Sequence, residues 1–222
     1  MFGQVLGEVL SPAVGIALSP VPVIAAILML LSPRAGRTAP AFAAGWLAGI
    51  LVVALVVMLF VPASAAAGKG GGGTAVGIVK LVLGALFLLM ALGQWRKRPG
   101  PGEEAALPKW MAGIDGMSPG ASFGIGAALS ALNPKNLPLA LAAGLSLAQL
   151  SGGGSVAALL VFVVLAASSV LVPVVVYALF TERMQEPLAR LKDWLTRNNA
   201  TVMFVVLLVL GVTLVGKALA AF

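Results

Sequence analysis

Six stretches of the chain are nearly free of charge and long enough to cross a hydrocarbon core, which takes about 20 helical residues. They cover 4–31, 39–62, 74–95, 119–150, 156–180 and 200–222. The connections differ in character. Segment 32–38 carries Arg34 and Arg37, and 63–73 is glycine-rich, with Gly70 to Gly73 in a row, the composition of a flexible loop. Segment 96–118 is polar and charged, and Pro99, Gly100, Pro101 and Gly102 give it an irregular start. Segment 151–155 is a bare Ser-Gly turn. In 181–199, Met184, Leu188, Leu191, Trp194 and Leu195 recur at three- and four-residue intervals among charged residues, which predicts an interfacial amphipathic helix. The pattern as a whole predicts an all-α polytopic membrane protein of six transmembrane helices.

Composition agrees. Of 222 residues, 60% are hydrophobic and 9% charged, and mean hydropathy is +1.09, values outside the range of soluble domains. The absence of cysteine and histidine removes disulfides, thiol redox chemistry, His-based metal sites and His-based proton relays. A net charge of +7 does not point to nucleic acid, because the basic residues flank apolar segments and read as topology signals and headgroup contacts. The N-terminus lacks a basic n-region, so Met1 to Leu31 reads as the first membrane helix of the mature protein and not as a cleaved leader.

The first, third and fifth connections hold Arg34, Arg37, Arg96, Lys97, Arg98, Lys109, Arg183, Arg190, Lys192 and Arg197, while the other side holds only Lys69 and Lys217. The positive-inside rule then predicts both termini outside. Three spans per half put the halves in opposite orientation, as inverted repeats at 1–95 and 119–222 joined by a cytoplasmic linker at 96–118. The shared landmark is Ala17-Leu18-Ser19-Pro20 against Ala131-Leu132-Asn133-Pro134, with Ser11-Pro12 and Ser118-Pro119 opening the two regions.

Both landmarks interrupt apolar spans with helix-breaking residues, so the first and fourth helices are predicted to be broken. Lys135 sits in the second break, and an ionisable group at that depth is costly and usually functional. The half-helix after Pro20 offers N–H groups near Val21 and Val23, Pro22 having none, and the one after Pro134 offers those of Lys135, Asn136 and Leu137. With the side chains of Lys135, Asn133 and Asn136, the site is donor-rich, cationic and free of carboxylates, which suits a phosphate, sulfate or carboxylate. All seven acidic residues, Glu8 among them, lie at or beyond span ends, the opposite of what a cation carrier needs. Simple proline kinks and a snorkelling Lys135 are the competing structural readings. The remaining landmarks fit bland roles. Lys80 reads as a snorkelling anchor before a site residue, and Glu8 as a boundary residue before a proton acceptor near the outer face. Gly45 with Gly49, and Gly120 with Gly124, have the spacing of close helix packing. Trp46, Trp95, Trp110 and Trp194 read as packing or interface anchors.

Leu18-Ser19-Pro20-Val21-Pro22-Val23-Ile24, then Leu28-Met29-Leu30-Leu31-Ser32-Pro33-Arg34 and Phe42-Ala43-Ala44-Gly45-Trp46, resembles the first half of the glycopeptidolipid-addressing protein (GAP) family. Leu132-Asn133-Pro134-Lys135-Asn136-Leu137, continuing to Ala142-Ala143-Gly144, is similar to its second hallmark. That family includes the sulfolipid-addressing proteins and belongs to the lysine-exporter (LysE) superfamily. The resemblance implies a bacterial inner-membrane protein of inverted three-span repeats, associated with moving cell-envelope glycolipids outward. It also implies distance from the superfamily's disulfide-reductant branch, since paired cysteines are missing.

These readings together predict a small transporter, flippase or transport accessory for an anionic lipid or lipid-linked headgroup. The headgroup is expected against Lys135, Asn133, Pro134 and Asn136, with Ser19, Pro20, Val21 and Pro22 opposite and Arg34 at the cytoplasmic mouth. Acyl chains are expected to stay in the bilayer between spans, and Lys135→Met to abolish binding while leaving folding intact. No cofactor is expected, and no catalytic base stands out for an enzyme. A homodimer and a partner lipid-export machinery are compatible with the reading. The alternatives are a LysE-like exporter of a small soluble solute such as an amino acid, and a non-transporting scaffold for a lipid-export complex.

Overall fold

A computed structural model describes residues 2–60, 73–100, 108–150 and 153–219, which contain helices and no strand. The chain runs through α1 (Phe2–Ala17), α2 (Pro20–Leu30), α3 (Ala35–Phe60), α4 (Gly73–Arg96), a 3-10 helix (Lys109–Gly116), α5 (Pro119–Ala131), α6 (Asn136–Leu147), α7 (Gly153–Leu179) and α8 (Thr181–Leu219). Helices α3, α4, α7 and α8 are each long and apolar enough to cross a membrane, and α1 and α2 are so only when taken together across their bend. The all-helical, multi-pass expectation therefore holds.

Both expected breaks are present. Helices α1 and α2 meet at 57° across Leu18 and Ser19. Ser19 is extended (φ −120°, ψ 97°), and Pro20 opens α2 at a position where its missing N–H costs nothing. The second interruption separates α5 from α6 at residues 132–135. Helix α5 begins conventionally, with the Ser118 hydroxyl accepting the Ala121 N–H at 3.2 Å and Pro119 in the first turn.

Some connections differ from expectation. The predicted interfacial helix at 181–199 is not a separate element, because α8 runs unbroken over 39 residues. Such a helix is about 58 Å long, well beyond a hydrocarbon core of about 30 Å. Leu188 and Leu195 are buried along this segment, whereas Leu191 and Trp194 are exposed. The linker 96–118 contains the 3-10 helix, whose Met111 and Ile114 are buried. Helix α7 already includes Gly153 to Ser155, so most of the predicted Ser-Gly turn is helical. The flexible loop expected at 63–73 lies outside the described residues except for Gly73, and Pro101 and Gly102 lie outside them too.

Helix α2 is at the centre, packed on α3, α7 and α8 and covered by the 3-10 helix. Helix α1 packs on α6 and α7, α5 packs on α3, and α4 packs on α8. Glycine sets the closest approaches. A Cβ at Gly45 or Gly49 would collide with the backbone of α5 at Phe123 and Ala127, and one at Gly126 with the Phe42 carbonyl of α3. The Gly45/Gly49 expectation is thus correct, but its predicted counterpart is not. Gly124 faces open space and Gly120 meets only Ser118, and it is Gly126 that admits α3. Gly84 and Gly211 make the corresponding contact between α4 and α8. Trp46 is fully buried, as an internal packing residue, and Lys80 is half-buried on α4.

Candidate functional site

The two breaks meet. Lys135 is 0% exposed and its Nζ donates to the Gly15 carbonyl at 2.5 Å and the Leu18 carbonyl at 3.2 Å. These carbonyls belong to the last turn of α1 and the residue after it, where helix geometry leaves acceptors without intrahelical partners and the dipole favours a donor or cation. Ser19 and Asn136, 3% and 0% exposed, complete the junction. The Ser19 hydroxyl donates to the Ile16 carbonyl at 2.7 Å and lies 3.5 Å from Asn136 Oδ1, while Asn136 Nδ2 lies 3.5 Å from the Leu129 carbonyl. Residues 117 to 120 positions apart thus hold the end of α1 against the start of α6.

Asn133 organises the second break. Its side-chain Oδ1 accepts the Lys135 N–H at 2.9 Å, and its carbonyl accepts the N–H groups of Asn136 and Leu137, both at 2.9 Å. Asn133 does by side chain and carbonyl together what an N-cap does for an ordinary helix start. Pro134 follows it within the turn and points outward, its ring exposed.

Two expectations are corrected by this geometry. First, the Lys135, Asn136 and Leu137 amides expected as free donors after Pro134 are bonded to Asn133. Second, Lys135 Nζ is engaged by backbone carbonyls of α1 and presents no surface to an open cavity. Lys135→Met therefore removes a structural contact as well as a charge. Arg34, expected at the mouth, lies away from this junction. It follows α2, whose 11 residues span about 16 Å from the break, and its Nη1 donates to the Gly116 carbonyl at 3.3 Å. Ser19, Pro20 and Pro22 are buried at the first break as expected, with Val21 half-buried.

The sequence reading missed the acceptors at Gly15 and Leu18. The signal is the half-helix before each break, whose terminal carbonyls need donors just as its successor's amides need acceptors. Gly15 and Leu18 also line an apolar groove of about 350 Å³ between α1 and α8, with Leu10, Val14, Val206 and Leu210. One stretch of α1 backbone therefore separates Lys135 from an apolar surface groove. Further along α1, Glu8 accepts a hydrogen bond from the Ser146 hydroxyl of α6 at 2.7 Å. Among the described residues, no group of His, Cys, Asp and Glu is arranged to hold a metal ion.

Neither the curated proteins nor the solved structures compared with this chain gave a match. One family model does match, that of Sap, the sulfolipid-1-addressing protein, over residues 9–220. The match includes both breaks, Lys135 and all of its partners at the junction, in accord with the resemblance carried by the Ser19-Pro20 and Asn133-Pro134-Lys135 motifs. The chain belongs to the sulfolipid-1-addressing protein family.

Proposed function

We propose that this protein is a small transporter or flippase, or a transport accessory, for an anionic lipid or lipid-linked cell-envelope precursor. The observation that carries the reading is the meeting of two discontinuous helices around Lys135, Ser19 and Asn136 within an apolar multi-pass protein. Broken helices that meet near the middle of a membrane protein form substrate sites in many transporters. Membership of a sulfolipid-addressing family supports a lipid as the cargo. The headgroup engages Lys135 and Asn136 after Lys135 leaves the α1 carbonyls, while the groove between α1 and α8 holds acyl chain. The protein acts as a carrier and not as an enzyme, in a bacterial inner membrane with both termini outside.

Helix packing supports inverted repeats and a sixth span made of α5 and α6. Exchanging the halves carries the α3–α7 and α4–α8 pairings onto themselves and carries α1–α7 onto α5–α3. The exchange is incomplete. Helix α1 packs on α6 and α2 on α8, whereas among the described residues α5 makes no comparable contact with α2, nor α4 with α6. In an alternating-access cycle that asymmetry corresponds to a closed outer half. A place in the LysE superfamily is part of this reading.

The test is native mass spectrometry of gently purified wild type beside Lys135→Gln and Lys135→Arg. Gln retains a donor for the α1 carbonyls but has no charge, so it separates binding from folding. Selective anionic lipid on wild type and Lys135→Arg, with one bound lipid fewer on folded Lys135→Gln, is the expected result. Equal lipid retention by Lys135→Gln and wild type overturns the assignment.

A further inference from the structure

We propose that the protein carries a second anion site, separate from the Lys135 junction, which takes the phosphate or sulfate group of an anionic headgroup. It is a cavity of about 610 Å³ between the turn after α2 and the start of α5. Arg34, Gly36, Arg37 and Thr38 line one side, with Ser118 and Pro119 on the other. That volume lies in the ordinary range for small-molecule sites.

The donors are held in place by their neighbours. The Thr38 hydroxyl donates to the Arg34 carbonyl at 3.1 Å, fixing the turn that carries both arginines. Arg34 Nη1 donates to Gly116 at 3.3 Å and ties this turn to the entrance of α5, leaving the rest of the guanidinium fork unused. Arg37 is exposed, and among the described residues its side chain makes no ion pair or hydrogen bond. The Ser118 oxygen accepts from Ala121, so its hydroxyl proton is free to donate, and the positive end of the α5 dipole borders the cavity. No lining residue is a carboxylate. Two arginines and a hydroxyl lining one cavity suit a tetrahedral oxyanion, which arginine binds through paired N–H groups.

A different cationic pocket shows what an occupied arginine looks like. Near Arg197 and Asn198, Arg98 lies over the Trp95 ring at 3.0 Å and donates Nε to the Trp95 carbonyl at 3.2 Å. Arg98 is consumed by packing, whereas Arg34 and Arg37 keep donors facing open space. A purely topological role asks only for positive charge near a span end. It requires neither a shared cavity nor the Arg34–Gly116 tie.

The proposal stands independently of the Lys135 reading, and its test leaves Lys135 untouched. Full-length protein in detergent is titrated with phosphatidylglycerol and with phosphatidylcholine of the same acyl chains, and retained lipid is counted by native mass spectrometry. Wild type is expected to prefer phosphatidylglycerol, and Arg34→Gln/Arg37→Gln to lose about tenfold or more of that preference, as removal of two interfacial cations implies. Arg37→Lys keeps part of it. Arg190→Gln removes an exposed basic residue paired with Glu186 and should change nothing. Inorganic phosphate then separates the two sources of the anion. Displacement of phosphatidylglycerol at millimolar phosphate identifies a site for free oxyanions, and resistance to it identifies a lipid headgroup site. Unchanged preference in the double variant, or an equal loss in Arg190→Gln, overturns the proposal. All the substituted arginines are exposed, and an unchanged unfolding midpoint verifies that each variant folds.

Discussion

Lys135 Nζ lies 2.5 Å from the carbonyl oxygen of Gly15, 120 residues earlier in the chain. With the Leu18 carbonyl at 3.2 Å, this contact makes the lysine the cap of a helix to which it does not belong. The expense of a buried lysine is thereby offset by acceptors that the broken end of α1 would otherwise leave unpaired. The same arrangement couples the two breaks mechanically, since α6 cannot withdraw from α1 without uncapping it.

Replacing Lys135 by methionine should lower stability, by about 1–3 kcal/mol for each carbonyl left buried without a donor. Lys135→Gln should recover part of that loss. Unfolding in mixed micelles, followed by tryptophan fluorescence, reads both variants. Equal stability of all three proteins would show that the carbonyls find other donors.

Asn133→Ala should loosen the start of α6 at a cost of about 1 kcal/mol, the usual value of a lost helix cap. Asn133→Asp keeps the acceptor for the Lys135 N–H and should cost less. Hydrogen exchange localises the effect, with faster exchange expected at Lys135, Asn136 and Leu137, whose N–H groups Asn133 now accepts.

Gly126→Val and Gly124→Val separate packing from sequence pattern. A side chain at Gly126 runs into the α3 backbone at Phe42, whereas Gly124 faces open space. The first should cost about 3 kcal/mol, the upper end of ordinary overpacking, and the second little. Yields of folded protein and unfolding midpoints in detergent decide it. Similar losses in both would mean that α5 is not seated on α3 through Gly126.

The Ser146–Glu8 hydrogen bond offers a covalent test of the proposed cycle. Because the chain has no cysteine, a Glu8→Cys/Ser146→Cys pair has no competing thiol. Oxidation should link α1 to α6 and arrest lipid movement in proteoliposomes, and reduction should restore it. Full transport by the cross-linked protein would rule out separation of α1 from α6 during transport.

Much of the architecture was legible because its causes are local. Proline at 20, 22 and 134 removes N–H donors wherever the chain goes next, so both breaks could be read before any packing was known. The cost of Lys135 inside an apolar run likewise depends only on its surroundings. Glycine spacing was a poorer guide. Gly120-x-x-x-Gly124 matches the pattern of a packing face as well as Gly45-x-x-x-Gly49 does, yet only the second of these lies against another helix. The continuity of α8 was hidden for a similar reason, since a change from charged to apolar composition near Ala200 marks a change of environment and not a helix end.

The sequence by itself determined a helical, multi-pass membrane chain with two interrupted apolar stretches and a lysine in the second interruption. These follow from hydrophobic length and from backbone groups that proline removes. Only the tertiary structure decided that Lys135 donates to Gly15 and Leu18, that Asn133 takes up the amides expected to be free, and that Arg34 joins Arg37 and Ser118 away from the junction. Each of these depends on which distant segments come within about 3 Å, the range in which a hydrogen bond forms. In a chain whose helices are apolar on nearly every side, the order of residues does not specify which faces will meet.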